Sequence, residues 1–283
     1  MITIPFTKAH GAHNDFLLTW RDQLPSEMKD WAETAVAICA RHTGAGADGW
    51  LIVTPGSGSP EHGTIELWNS DGSRSEISGN GTRCAAAFLL EATFTGENVR
   101  IATGAGLKHL RLLDRAGHSY SFEMNMGAAK LQELHAKIED RDCTLVNVGN
   151  PQCVFFVDNF DFAWQAAGAR VERHERFPNR TNVSFVRVAD RNTLDMRFFE
   201  RGAGETMSSG TGSTGAVAAA IARNLVDSPV RVNTPAGPLR LSWVKSNEQN
   251  SEVLSSDILL AGPAEIIAKG EFFWKGNNIR ESL

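Results

Sequence analysis

The chain has 283 residues, 42% of them hydrophobic and 22% charged, with a formal net charge of −5 at pH 7 and a pI near 5.9. At about 150 residues per domain this length predicts two domains, and folding should remove about 73% of the extended-chain surface from water, enough for a real core. The composition excludes disordered, collagen-like and coiled-coil chains, and an acidic balance without long Lys/Arg runs excludes an electrostatic nucleic-acid binder.

The opening MITIPFTKAHGAHNDF has no basic segment leading into an apolar stretch, so no signal peptide is read. No window approaches the roughly 18 apolar residues of a membrane span. Cys39, Cys84, Cys143 and Cys153 form neither a CxxC pair nor a disulfide framework. A soluble, cytoplasmic protein with no membrane partner is the expectation. In chain order, β-branched and aromatic runs predict strands at ITIPFTKAH, GWLIVTP, TIELWNS and VRIAT. The second half adds SYSFEMNMG, TLVNVG, PQCVFFVD, TNVSFVRV, DMRFFE, VRVNTP, DILLAG and AEIIAKGEFFW. Helices are expected at MKDWAETAVAICARH, with Ser26 as its N-cap, at TRCAAAFLLEA and at STGAVAAAIARNL. The Gly-Ser-Gly-Ser-Pro stretch at 56–60 reads as a loop.

An internal repeat organises these elements. NSDGSRSEISGNGTRCAAA surrounds Ser78, and ERGAGETMSSGTGSTGAVAAA surrounds Ser209, 131 positions later. In each, a polar residue (Asn69, Glu200) precedes the serine by nine positions, a Gly-x-Gly turn follows it, and alanines stand seven and nine positions beyond. A weaker echo pairs Asn14-Asp15-Phe16 with Asn150-Pro151-Gln152-Cys153-Val154. These correspondences point to a duplicated α/β unit.

Each loop runs straight into an alanine-rich helix, whose first-turn N–H groups lack internal partners and carry the positive end of the helix dipole. Glycines let a carboxylate or phosphate approach that end, whereas the simpler reading is a structural turn with serine as N-cap. Neither loop has the Gly-Lys-Thr/Ser ending of a P-loop or the dinucleotide fingerprint. His10 and His13 lie three apart in a strand-to-loop segment, and the other histidines show no ligand spacing, so no metal is expected. No Gly-x-Ser-x-Gly elbow supports Ser-His-Asp hydrolysis.

Six segments in order, HGAHNDF, RHTGAGADGWLIV, WNSDGSRSEISGNGTRC, VGNPQCVFFV, RTNVSFV and RFFERGAGETMSSGTGS, make the chain resemble the diaminopimelate epimerase family along nearly its whole length. The resemblance implies an α/β fold of two pseudo-symmetric domains, each a curved, mostly antiparallel sheet around a central helix. The expected division is residues 1–117 with 263–283, and residues 118–262. It implies an isomerase of lysine biosynthesis that interconverts LL- and meso-diaminopimelate by α-proton removal and return, with no cofactor and no pyridoxal phosphate. Its partner is then a small amino-acid substrate, and a homodimer fits the same picture. The substrate-binding set carried over is Asn14, Asn69, Gly79, Asn80, Asn150, Asn182, Glu200, Arg201, Gly210 and Thr211. Asparagines and loop amides suit a zwitterion, and Arg201 offers a bidentate fork for a carboxylate.

The chain also departs from that family. Ser78 and Ser209 stand where the family has its two catalytic cysteines, Gln152 where it has a histidine, and Gly49 where some members have glutamine. A thiol, with a pKa near 8.5, is readily tuned to a thiolate, whereas an alcohol needs a general base to act. Glu200 is expected beside Ser209 as that base, making Ser78, Ser209 and Glu200 the catalytic candidates with Gln152 auxiliary. The alternatives are a homologue with changed chemistry (racemisation of another amino acid, elimination or isomerisation) and a silent amino-acid binding protein.

Overall fold

The computed structural model describes residues 2–26, 28, 30–56, 60–92, 95–243 and 257–275; most of the loop read at 56–60 lies outside them. In the first half, β1 (Ile2–Gly11) and β2 (Asn14–Trp20) pair antiparallel. Helix α1 (Trp31–Cys39) then crosses to β3 (Gly49–Pro55), parallel to β2. Strand β4 (Gly63–Asn69) pairs antiparallel with β3, and the short β5 (Arg74–Ser75) folds back on β4. Helix α2 (Gly79–Ala92) leads to β6 (Asn98–Thr103), parallel to β4, with β7 (Gly106–Ala116) and β8 (Ser119–Ala128) as successive antiparallel neighbours.

The second half repeats this pairing order. After β9 (Lys130–Ile138), β10 (Arg141–Asn147) and β11 (Pro151–Phe156) pair antiparallel. Helix α3 (Trp164–Glu172) crosses to β12 (Asn182–Asp190), parallel to β11, and β13 (Thr193–Glu200) pairs antiparallel with β12. The short β14 (Gly204–Thr206), helix α4 (Gly210–Ala222), β15 (Val230–Thr234) parallel to β13, β16 (Gly237–Trp243) and β17 (Asp257–Trp274) complete it. Asn69 and Glu200 therefore end equivalent strands, and Ser78 and Ser209 precede equivalent helices.

Both alanine-rich helices are central. Every residue of α2 from Gly79 to Leu90, and of α4 from Gly210 to Ala220, is buried. Helix α2 packs on β1, β2, β3, β4, β6, β8 and β17, and α4 on β9 to β13 and β17. Alanine suits that position, because strands close tightly over a surrounded helix where its side chains are small. No described helix is long and apolar enough to cross a membrane.

Two expected strands, DILLAG and AEIIAKGEFFW, are one continuous strand, β17, running through Pro263. Its Leu259–Ala261 stretch pairs with β16, and Glu265–Trp274 pairs with β1. Proline falls between the stretch paired with β16 and the stretch paired with β1, while β8 runs alongside on the other edge with Ser121 opposite Pro263. The first helix also differs from expectation. It begins at Trp31 with Asp30 at the N-cap, not after Ser26; Met28 N–H donates to Pro25 O, three positions back rather than the four of an α-helix.

The N-termini of α2 and α4 meet at their first residues. A Cβ on Gly79 would lie 3.1 Å from Gly210 Cα, and one on Gly210 would lie 3.0 Å from Gly79 Cα. Backbone stands on both sides, so neither position can yield by turning a side chain. Gly210→Ala should therefore destabilise the protein by about 1–3 kcal/mol in urea denaturation; unchanged stability would show that the two helix ends are free to part.

Candidate active site

The strand ends and helix starts of the two halves converge on one cleft. Asn14, Asn69 and Ser78 from the first half line it together with Asn150, Asn182, Glu200 and Arg201 from the second. Gly79, Asn80, Ser209, Gly210 and Thr211 lie immediately behind, all buried. Ser209 Oγ accepts from Gly212 N–H at 3.0 Å, and Ser78 Oγ accepts from Gly81 N–H at 3.1 Å. Both serines are thus helix caps, and the two hydroxyls are held alike.

Their other contacts differ. Ser209 Oγ donates to Glu200 Oε2 at 2.7 Å, while Thr206 Oγ1 donates to Glu200 Oε1 at 2.7 Å. Burial raises the Glu200 carboxyl above its ordinary pKa, the two hydroxyls oppose that shift, and the Asp48 charge adds to it. A carboxylate so placed is a better base than an exposed one. Gln152, at the family's histidine position, donates from Nε2 to Asn150 Oδ1 at 2.7 Å and lies against Gly215 of α4. Its amide leaves Asn150 Nδ2 to donate to Thr211 Oγ1 at 3.4 Å. No hydrogen bond joins Gln152 to Ser78 among the described residues.

The remaining expected residues are held in fixed orientations. Asn69 Nδ2 donates to Ser73 Oγ at 2.9 Å, Asn182 Nδ2 donates to Pro151 O at 3.0 Å, and Asn182 Oδ1 accepts from Arg201 N–H at 3.1 Å. The Arg201 guanidinium reaches across the cleft to an ion pair with Glu76. A substrate carboxylate arriving at Arg201 would compete with that pair.

Sequence reasoning missed Asp48, which also lines the cleft with Phe16. Its Oδ2 accepts from Asn14 Nδ2 at 2.7 Å and its Oδ1 from Arg41 at 2.7 Å. Burial raises its pKa, Asn14 opposes the shift, and the nearby Asp15 charge reinforces it. Burial also pushes Asp15 upward, but Arg41 and Lys8 outweigh it and hold that carboxyl below its usual range. The signal for Asp48 lay in GADG, where glycine and alanine drew attention to the turn rather than to the acid. Cys39 and Cys84 are buried, and burial pushes both thiols up to about 12, so neither substitutes for the absent catalytic thiols.

A family model described as diaminopimelate epimerase matches residues 6–132 and 144–260. A diaminopimelate epimerase from Pelotomaculum thermopropionicum is 34% identical over 285 residues, covering 94% of this chain and 98% of that protein. One from Microcystis aeruginosa is 36% identical over 287 residues, covering 94% and 98%. Among solved structures, a hydroxyproline epimerase from Agrobacterium vitis superposes with a TM-score of 0.73 at 15% identity, covering 96% of this chain and 91% of that one. A Bacillus anthracis phenazine biosynthesis protein of the PhzF family gives 0.74 at 14%, covering 97% and 100%. At those identities the likeness is one of fold.

Glu200 binds its proton more tightly in the folded state than in the unfolded one. Its contribution to stability is therefore full below the unfolded pKa of about 4.5 and is lost as pH rises through the raised folded pKa. Glu200→Gln lacks that loss, so its stability relative to the parent protein should rise between pH 4 and pH 7 in urea titrations. A relative stability that falls over that range would mean the fold favours the ionised carboxylate.

Proposed function

Since this chain belongs to the diaminopimelate epimerase family, we propose that it interconverts LL- and meso-diaminopimelate at one α-carbon, with Ser78 and Ser209 addressing opposite faces and no pyridoxal phosphate. The chain is an amino-acid epimerase-type isomerase by that membership. The specific substrate and the residue roles are our reading. So are the division into residues 1–117 with 263–283 and 118–262, cytoplasmic residence and a homodimer. The observation that carries the reading is the 2.7 Å hydrogen bond from Ser209 Oγ to Glu200 Oε2, which supplies the base an alcohol needs.

In this reading the α-carboxylate rests on the uncommitted amides at the starts of α2 and α4, where the helix dipoles favour negative charge. Ser209 takes the α-proton while passing its own hydroxyl proton to Glu200. The electron pair of the broken C–H bond moves into the carboxylate, and the same amides stabilise the charge that gathers there. On the opposite face Ser78, which is partly exposed, relays a proton from water to the α-carbon, and the proton held by Glu200 then passes to solvent, where it neutralises the hydroxide left behind. The reverse reaction uses the same groups in the opposite order. Asn14, Asn69, Asn150 and Asn182 supply donors and acceptors for the two ammonium and two carboxylate groups, and Arg201 exchanges Glu76 for a substrate carboxylate.

The unequal surroundings of the serines favour one second reading, a homologue in which proton removal at the Ser209 face alone leads to elimination or isomerisation. Deuterium incorporation from D2O, followed by NMR on LL- and meso-diaminopimelate separately, distinguishes the two. Incorporation from both isomers is expected. Incorporation from one alone would replace epimerisation by one-faced chemistry, and binding without any exchange would leave an amino-acid binding protein.

A further inference from the structure

Beneath the cleft lies a cation that the chemistry above does not use. Arg83, in the first turns of α2, is fully buried, with no solvent exposure. A buried charge ordinarily requires an opposite charge beside it. Among the described residues Arg83 has only neutral partners. Its Nε donates to Pro263 O at 3.0 Å, one terminal nitrogen to Gly79 O at 3.4 Å, and the other to Asn80 Oδ1. Burial accordingly lowers its pKa to about 10, and it stays cationic at neutral pH.

The bond to Asn80 starts a chain that ends in the cleft. A guanidinium only donates, so Asn80 must present its oxygen to Arg83 and its nitrogen elsewhere. Asn80 Nδ2 donates to Asn14 Oδ1 at 3.1 Å and to Ser208 O in the other half at 3.1 Å. Asn14, with its oxygen occupied, turns its nitrogen outward, and Nδ2 donates to Asp48 Oδ2 at 2.7 Å. The Asp48 carboxylate only accepts, taking Arg41 on Oδ1 and the Asp15 N–H on Oδ2. A donor-only group at one end and an acceptor at the other thus fix both carboxamides in a single sense. Among the described residues one N–H of Asn14 remains uncommitted, at a residue that lines the cleft.

We propose that Arg83 is a positioning residue that acts through Asn80 to hold the Asn14 carboxamide with its nitrogen toward the cleft, making that site a donor for a carboxylate oxygen of the ligand. Without Arg83 the Asn80 carboxamide can rotate, Asn14 loses its fixed sense, and the position accepts or donates indifferently. A purely structural Arg83 would tie α2 to β17 through Pro263 and leave the Asn14 orientation untouched. Only the identity of the ligand rests on the reading in the preceding subsection; the orienting chain is a property of the free protein.

The test uses the full chain with Arg83→Lys, Arg83→Met and Asn80→Asp. In ligand-free protein, the side-chain carboxamide protons of Asn14 should exchange slowly in the parent and in Arg83→Lys. They should exchange at least tenfold faster in Arg83→Met and Asn80→Asp. The Asp variant gives the guanidinium a carboxylate partner and cannot donate to Asn14, so it carries the test if Arg83→Met does not fold. Calorimetry with meso-diaminopimelate should show Kd raised roughly tenfold to a hundredfold in the same two variants, the effect of losing one hydrogen bond to a charged group. Unchanged Asn14 exchange in Asn80→Asp overturns the inference. The expected exchange pattern without diaminopimelate binding to the parent protein leaves the orienting chain standing and removes the substrate assignment instead.

Discussion

The architecture depends on two buried helix N-termini placed against each other at Gly79 and Gly210. Each end carries backbone N–H groups with no partner inside its helix, and the two dipoles present positive ends to one small volume. Such an arrangement is unfavourable unless something negative occupies the space between, and a carboxylate whose α-carbon is losing a proton meets that need twice over. The alanines deepen the same constraint. A sheet can wrap each helix completely only if its side chains are small, and complete wrapping fixes the helix starts with little freedom. The paired repeats around Ser78 and Ser209 are the sequence trace of this geometry, written once per half.

Much of this was legible beforehand because the repeat is rigid in spacing. Asn69 and Glu200 come out at the ends of equivalent strands, and both serines come out at equivalent caps. What escaped reading escaped for identifiable reasons. Strand β2, NDFLLTW, is buried along both faces, so it shows a continuous apolar run instead of alternation. Strand β9, KLQELHAKI, places Leu131, Leu134 and Ile138 at helical spacing, and pairing with β10 overrides that pattern. Helix α3 carries Gly168 in its middle, which argues against a helix locally. The glycine is needed because a Cβ there would stand 2.7 Å from Phe199 Cβ. Asp48 and Arg83 escaped because Asn14, the residue that gives each its importance, stands 34 positions from Asp48 and is reached from Arg83 only through Asn80.

The serines give the site its particular chemistry. In a thiol-based site both faces share one kind of acid and base, each tuned by the same helix dipole. Here one hydroxyl has a buried carboxylate at hydrogen-bond distance and the other has a backbone amide and access to solvent. Gln152 belongs to the second half's own scaffolding, bracing Asn150, and cannot hold a proton for either face. In the proposed reaction the two proton transfers would be unequal, and the slower face would govern turnover. The fold neighbours, a hydroxyproline epimerase and a PhzF-family protein, place the same architecture beneath other reactions, consistent with function residing in the groups around the cleft.

The central claim is that the two helix starts and the two serines enclose one α-carbon. A crystal structure of the protein with meso-diaminopimelate measures this directly. The account predicts the α-carboxylate on the amides that begin α2 and α4, with the α-carbon between Ser78 Oγ and Ser209 Oγ and within about 3.5 Å of each, the separation at which proton transfer is geometrically ready. An α-carbon lying beside only one hydroxyl, or a carboxylate bound away from both helix starts, would contradict it.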